Sequence, residues 1–177
     1  MKKAYLILSE LNNDDLNWMI KIGKRHELYP GEKLIYEKQQ MYAFYIILSG
    51  TLTVAIEALN NKELARLSSG EVVGEISFID TRLPLATVKA IEESIVLEIS
   101  RLQLNSKLEK DMGFAARFYR GISRCLSDRM RGTVLRLGYE VDVEALELEE
   151  EQEDSAESIN LQLVEAKFNW LKQLATQ

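Results

Sequence analysis

Residues 74–87 read GEISFIDTRLPLAT and lead into the alternating run 88–91. A Gly-Glu pair opens a short apolar turn, and a polar loop follows it. This layout can direct several backbone N–H groups into one concavity, which suits a small anion. The alternative is an ordinary connection between two strands, because loops with one carboxylate and few glycines are common. The sequence on either side has to decide between the two.

The sequence around this stretch predicts short β-strands. Residues 51–57 alternate between the two faces of a strand, with a period of two residues. Gly or Asn turns separate several of the runs, and strands spaced about ten residues apart indicate an antiparallel barrel or sandwich. The predicted strands are 33–37, 43–48, 51–57, 63–67, 87–91 and 94–99.

Helices are predicted on both sides of the strands. Residues 4–22 predict one helix, capped at Asn13 or Asp14. Residues 101–139 contain no proline and have apolar residues at helical spacing, so they predict one long helix. Phe114, Phe118 and Cys125 lie beside its main apolar stripe. That stripe consists of Ala115, Tyr119, Ile122, Leu126, Met130, Val134 and Leu137.

The length of this stripe predicts that a second protein surface covers part of it. It exceeds what one edge of a barrel usually covers, so we expect a homodimer along residues 115–137. Residues 158–177 predict a further amphipathic helix, with a capping box at Asp154 and Glu157. The pattern leaves three partners open for this helix: its own barrel, a dimer mate or a client protein.

Charge is distributed unevenly along the chain, whose net charge is −6. Residues 140–157 hold ten carboxylates and no Lys or Arg, whereas residues 1–139 hold 20 basic and 17 acidic residues. We expect this acidic tract to screen an arginine row on the long helix, to dock against it, or to compete with an acidic partner for it. The row consists of Arg117, Arg120, Arg124, Arg129, Arg131 and Arg136, accompanied by Asp128.

Several classes of protein are excluded by composition. One cysteine and one histidine, Cys125 and His26, allow neither an intrachain disulfide nor a Cys/His metal cluster. Paired catalytic carboxylates, a Cys–His arrangement and a nucleotide-hydrolysing P-loop are missing, so we expect no enzyme. The N-terminal apolar run has five residues, and no run approaches a membrane span. The sequence therefore predicts a cytoplasmic protein without a membrane partner.

Taken together, residues 10–137 resemble a cyclic nucleotide-binding domain of the bacterial catabolite-activator type. Pro30-Gly31 resembles the early turn of that family, and Leu48-Ser49-Gly50 its mid-barrel hairpin. The run GEVVGE at 70–75 resembles the entry to its phosphate-binding cassette, and a short and a long helix then close the domain. The resemblance implies an α+β, mainly β, antiparallel barrel or jelly roll with an N-terminal helix.

The resemblance also divides the chain. It implies a cyclic nucleotide-binding-like domain at 1–139, an acidic linker at 140–157 and an extra C-terminal helix at 158–177. Transcription factors of the family carry a winged helix-turn-helix after the long helix. Here the remaining chain starts with ten carboxylates and predicts a single helix, so we expect no DNA binding.

In that family a cyclic mononucleotide occupies the cassette, and the Glu after the second Gly accepts from the ribose 2′-hydroxyl. By position, Glu75 takes this role here. The resemblance implies an amide cradle on one side of the phosphate and a strand on the other. The cradle residues are Gly74, Ile76 and Ser77, and the strand residues are Ala86 and Thr87.

The phosphate-binding arginine is the main departure from the family. Where the family has Pro-Arg-Ala-Ala-Thr, residues 83–87 read LPLAT, and Pro84 has neither a charge nor an N–H. Arg82 is a candidate replacement with a different geometry. Because an Arg–phosphate pair contributes about 2–4 kcal/mol, its loss weakens binding roughly 10²- to 10³-fold. The pocket then binds cyclic AMP or cyclic GMP weakly, takes another ligand, or is empty.

Two functions follow from these observations. The first is a sensor of the cyclic nucleotide-binding type, which moves its long helix or tail when a ligand fills the cassette. The second is a ligand-independent interaction module that uses the barrel, the long helix and the terminal helix. Glu75 and Ser77 favour the sensor, whereas Pro84 and the extra helix favour the module.

Overall fold

The computed structural model describes residues 2–136 and 160–174, except for the side chains of Arg136 and Leu174. Across these residues two antiparallel four-stranded sheets pack with six α-helices, which confirms the predicted mainly β jelly-roll fold. The strands are β1 (Lys24–Leu28), β2 (Lys33–Ile35), β3 (Ala43–Ser49), β4 (Thr51–Ile56), β5 (Lys62–Ser68), β6 (Val72–Val73), β7 (Thr87–Ala90) and β8 (Ser94–Ser100). The helices are α1 (Lys3–Glu10), α2 (Asn13–Ile22), α3 (Glu75–Asp80), α4 (Arg101–Lys110), α5 (Met112–Arg136) and α6 (Leu161–Leu174).

The two sheets have the strand orders β1-β8-β3-β6 and β2-β7-β4-β5. In the first sheet β3 and β8 run antiparallel, with Phe44 opposite Ile99. In the second, β4 pairs with β7 so that Val54 lies opposite Val88. Each sheet thus pairs an early strand with a late one. The cassette, residues 74–87, connects β6 of the first sheet to β7 of the second.

Strand β3, which lies inside the first sheet, is buried on both faces. Phe44, Ile46 and Leu48 point to one face and pack with the helices. Ala43, Tyr45 and Ile47 alternate with them and pack against the second sheet. Successive side chains on a strand point to opposite faces, so a strand between two apolar layers is apolar throughout. This accounts for the unbroken run AFYIIL at 43–48.

The N-terminal region forms two helices, so the prediction of a single helix over 4–22 is wrong. Asn12 separates them and begins α2: its side-chain oxygen accepts from the Asp15 amide at 2.9 Å. The Asp15 carboxylate accepts from the Asn12 amide at 2.9 Å in return. This capping box gives the orphan amides of a new helix their partners. It stops α1 at Glu10 and moves the cap from the predicted Asn13 or Asp14.

The region 101–139 also divides into two helices within its described part. Asp111 ends α4 and begins α5, because its Oδ1 accepts from the Phe114 amide at 2.8 Å. The predicted apolar stripe is only partly correct. Its members Ala115 and Ile122 are buried within the chain, together with Phe114, Phe118 and Cys125. Tyr119, Met130 and Val134 are exposed, and Leu137 lies outside the described residues.

Helix α6 packs on α1 and α2 of the same chain and buries Val164, Phe168 and Leu171. Lys167 is also buried, and its Nζ donates to the carbonyls of Leu8 at 3.0 Å and Leu11 at 2.6 Å. The lysine thereby satisfies carbonyls at the end of α1 that have no helical partner. Asn160 starts α6, whereas the predicted cap at Asp154 and Glu157 lies outside the described residues.

Four arginines of the predicted row bind partners in the folded body. Arg117 forms two bonds to Asp15, at 2.6 and 2.8 Å. Arg120 and Arg124 both reach Glu10, and Arg129 reaches Glu75. These four therefore bind the N-terminal helices and the cassette. The acidic tract at 140–157 lies outside the described residues.

The packing of α5 on α1 depends on Gly121, where a Cβ would lie 2.8 Å from the Ile7 Cα. Gly121→Ala is expected to destabilise the protein by about 1–3 kcal/mol, because the backbone of α1 has to move. Gly132→Ala, in the same helix, is the matched control: among the described residues its Cβ meets nothing within 4 Å. It should be neutral or stabilise by up to about 1 kcal/mol. Urea unfolding of both variants measures the difference, and equal effects would contradict the packing.

Candidate functional site

A cavity of about 210 Å³ lies between the second sheet, the cassette and α5. Five strand residues and Met41, from the loop before β3, form its apolar floor, and Arg129 of α5 lies at its helical side. The cassette contributes the first three residues of α3 and most of the loop that follows. The residues of the floor are Ile35, Met41, Val54, Leu67, Val73 and Val88.

Gly74 sets the position of α3 and of the carboxylate that follows it. It has φ +89°, in the left-handed region that favours glycine. A Cβ there would also lie 2.6 Å from the Met41 sulfur. At the far end of α3, Arg101 donates to the carbonyls of Ser77 at 3.2 Å and Phe78 at 3.3 Å. Both ends of this short helix are therefore fixed.

Glu75, the first residue of α3, is 1% exposed and lines the cavity together with Arg129. The Arg129 Nη1 lies 3.1 Å from the Glu75 Oε1, and Arg129 Nη2 donates to the Val72 carbonyl at 2.6 Å. The first contact lacks hydrogen-bond geometry. As a result the Glu75 Oε1 accepts no hydrogen bond from the described residues, and the Arg129 Nε donates none. The Glu75–Arg129 ion pair beside the cavity thus leaves one buried acceptor and one buried donor without a hydrogen bond from the described residues.

Burial dominates the protonation equilibria here. Desolvation raises the pKa of Glu75. Arg129 and a backbone amide oppose this rise, whereas the negative charge of Glu71 adds to it. Desolvation likewise raises the pKa of Glu71. It raises the pKa of the buried Cys125 thiol to about 11, with Glu75 as a second cause. The thiol is therefore protonated and unreactive near neutral pH.

At the position where the family resemblance places the phosphate cation, the opposite wall carries an uncharged residue. Pro84 is buried in this wall, and its carbonyl accepts from the Lys38 amide at 2.8 Å. Arg82 lines the cavity from an exposed position in the loop. The charged lining residues in the described part of the chain are Glu75, Asp80, Arg82 and Arg129, which sum to zero.

The structure brings six of the seven predicted site residues to this cavity: Gly74, Glu75, Ile76, Ser77, Arg82 and Ala86. The seventh, Thr87, is buried outside the lining, and its hydroxyl accepts from the Glu37 amide at 3.2 Å. From the sequence, Arg129 was assigned to an arginine row opposed by the acidic tract, so it was missed as a cavity residue. The sequence signal for this residue was the helical spacing of the arginine row, and that spacing does not reveal which arginine faces the cassette.

The comparisons with known proteins agree with this fold. Residues 25–111 match the family model of the cyclic nucleotide-binding domain. These residues belong to the cyclic nucleotide-binding domain family. The structure of a cyclic nucleotide-binding domain from Methylobacillus flagellatus superposes with a TM-score of 0.69 at 18% identity, covering 78% of this chain and 85% of that one.

Two further relatives show how far the likeness extends. The catabolite activator protein of Thermus thermophilus has a TM-score of 0.63 and 22% identity, over 75% of this chain and 61% of that chain. Lysophospholipase nte1 of Neosartorya fischeri is 27% identical over 116 residues, which are 64% of this chain and 7% of that protein. The chain thus spans under two thirds of the first and a small part of the second.

Among the described residues, no helix has the length and apolarity of a membrane span.

The raised pKa of Glu75 predicts how pH affects stability. The folded protein holds this proton more tightly than the unfolded chain, whose Glu pKa is about 4.3. Its contribution to stability is therefore greatest below that value and is lost as pH rises through the higher folded pKa. Relative to Glu75→Gln, the wild type should become less stable as pH rises from the unfolded pKa of about 4.3 towards neutral pH. Urea unfolding across this range measures the difference, with the exposed Glu109→Gln as control; a constant difference would contradict the assignment.

Proposed function

We propose that this chain is a non-enzymatic sensor whose cyclic nucleotide-binding domain takes its ligand in the cavity at Glu75. One observation carries the proposal: Glu75 is a lining residue of the cavity and is 1% exposed, and its Oε1 pairs with Arg129 but accepts no hydrogen bond from the described residues. A buried acceptor without a donor costs about 1–3 kcal/mol. A ribose hydroxyl supplies that donor, and Glu75 is at the family position for this contact.

Binding of a cyclic nucleotide is weak in this proposal, for two physical reasons. Pro84 offers no positive charge to the phosphate, which removes about 2–4 kcal/mol. The cavity of about 210 Å³ is also smaller than ligand pockets of roughly 300–1,000 Å³.

Arg129 connects the cavity to the long helix and provides the response. It holds α5 against β6 through the Val72 carbonyl and against α3 through Glu75. A ligand hydroxyl on Glu75 weakens the second contact, since one carboxylate then serves two partners. The proposed output is a change in the position of α5 when the cavity fills.

Calorimetric titration with cyclic AMP and cyclic GMP tests the sensor. We expect weak binding, which Glu75→Ala removes and the exposed Glu109→Ala leaves intact. A thermal-shift series with the same ligands distinguishes loss of binding from loss of folding. No heat and no thermal shift at millimolar ligand would refute the sensing of cyclic nucleotides, and would favour the interaction module if nucleosides also fail to bind.

The interaction module stays as a second candidate because α5 leaves apolar side chains uncovered. Met130 is 70% exposed and Tyr119 is 46% exposed. A homodimer along residues 115–137 covers both. Light scattering should then give twice the monomer mass for the wild type and a smaller mass for Met130→Glu. Met112→Glu, just outside this range, is the control and should keep the mass of the wild type. A monomeric wild type would contradict this interface.

The remaining parts of the proposal come from the sequence. We assign the sensor domain to residues 1–139, the acidic linker to 140–157 and the terminal helix to 158–177. In the structure the described part of this helix covers α1 and α2 of its own chain. A client protein of the terminal helix therefore has to bind its exposed face, which includes Leu161 and Leu163.

A further inference from the structure

The cavity is electrically balanced without a ligand. Its charged residues in the described part of the chain, Glu75 and Asp80 against Arg82 and Arg129, sum to zero. Glu75 and Arg129 lie in contact at 3.1 Å, so Arg129 is already the counter-ion of a buried acid. Arg82 is in the exposed loop, where water screens its charge. A ligand that brings a negative charge inside therefore finds Arg129 already paired with Glu75 and only the solvent-screened Arg82 to neutralise it.

The wall that faces a phosphate is apolar. Pro84 and Ala86 line it, and the Pro84 carbonyl is already bonded to the Lys38 amide. Burying an anion without a counter-charge is far more costly than burying a neutral group. A phosphate would also bring a second negative charge towards the carboxylate of Glu75.

Hydrogen bonding favours a different kind of molecule. The Glu75 Oε1 lacks a donor, and the Arg129 Nε, which is buried beside it, lacks an acceptor. A hydroxyl group can donate to the first, and an ether or second hydroxyl oxygen can accept from the second. The six floor residues are all apolar, and an apolar surface of this kind suits a flat ring system.

We propose that the cavity takes an uncharged nucleoside-type ligand, with a ribose hydroxyl on Glu75, in preference to a cyclic nucleotide. The inference rests on the proposed function, because it uses the same cavity and the same carboxylate. It differs in the charge of the ligand. A nucleoside is also smaller by the phosphate group, which agrees with a cavity of about 210 Å³.

Titration of the wild-type protein with adenosine, 2′-deoxyadenosine and cyclic AMP tests this selectivity. Adenosine should bind at least about tenfold more tightly than cyclic AMP, because its transfer buries no charge. Removing the 2′-hydroxyl should weaken binding roughly 10- to 100-fold, the loss typical of a hydrogen bond to a charged group. The deoxy comparison uses unaltered protein, so a folding defect cannot imitate the result. Guanosine and cyclic GMP form a parallel pair.

Each outcome decides one of the two proposals. Tighter binding of cyclic AMP than of adenosine would overturn the inference and leave the sensor standing. Equal binding of adenosine and its deoxy analogue would overturn the role of Glu75. Absence of binding by every nucleoside and cyclic nucleotide would overturn the sensor itself, and the inference with it.

Discussion

Replacing Pro84 with arginine is expected to tighten cyclic AMP binding by roughly 10²- to 10³-fold. Pro84 is buried in the wall of the cavity, at the position where the family resemblance places the phosphate cation. An arginine there adds the missing counter-charge to a lining that now sums to zero. The contact of the Pro84 carbonyl with Lys38 survives, because it uses the backbone and not the ring. Calorimetry with wild-type and variant protein measures the gain.

The control for this variant is Pro84→Gln, which also removes the ring and adds a long polar side chain without a charge. Adenosine is the matched ligand control, since its affinity should change far less than that of cyclic AMP. The selectivity of the cavity should then reverse in the arginine variant alone. If Pro84→Arg and Pro84→Gln bind cyclic AMP equally, the lack of a phosphate cation is not what weakens the site.

Phe118→Ala is expected to lower the free energy of unfolding by about 3–5 kcal/mol. Phe118 is 0% exposed, and its ring contacts Phe44 of β3, Phe78 of α3 and Phe114 of α5, with centroids 5.7–6.0 Å apart. Its removal leaves a cavity where the helical layer, the first sheet and the cassette meet. For a chain of this size the melting temperature should fall by about 6–20 °C.

The neighbouring Tyr119→Ala provides the comparison, because this side chain is 46% exposed and its removal opens no cavity. Thermal and urea unfolding of both variants, followed by circular dichroism, measure the difference. We also expect Phe118→Ala to weaken ligand binding, because Phe118 packs on Phe78, a residue of α3, and so helps to position that helix at the cavity. Similar melting temperatures for the two variants would mean that the aromatic cluster does not hold α5 and the cassette together.

The sequence predicted the sheet well, for a physical reason. The strands are short, turns with glycine or asparagine separate several of them, and a period of two is visible in residues 51–57. The predicted strands at 43–48, 63–67 and 94–99 all lie inside observed strands. Strand β6, with only Val72 and Val73, was missed because two residues cannot show a period. Strand β1 was missed because four of its five residues are exposed and polar.

Helix boundaries were harder, since they depend on single caps. Asn12 and Asp111 each begin a helix within a stretch whose spacing suggested one continuous helix. Their side chains favour a new cap over the continuation of the previous helix, and apolar periodicity carries no signal of that choice.

The cavity shows the same limit. The cassette was recognisable because its residues are adjacent in sequence, and most of them line the cavity. Arg129 lies 54 positions after Glu75, and only the packing of α5 brings the two together. Long-range charge pairs of this kind cannot be assigned from one sequence, since each arginine of the row had several acidic candidates.

A crystal structure grown with millimolar cyclic AMP tests the central claim most directly. The claim predicts nucleotide density inside the cavity, with the ribose 2′-hydroxyl about 2.5–3.0 Å from a carboxylate oxygen of Glu75. It also predicts that Arg129 has moved from that carboxylate. A cavity without density, in which Glu75 still contacts Arg129 as in the free protein, would contradict the claim that this site takes a cyclic nucleotide.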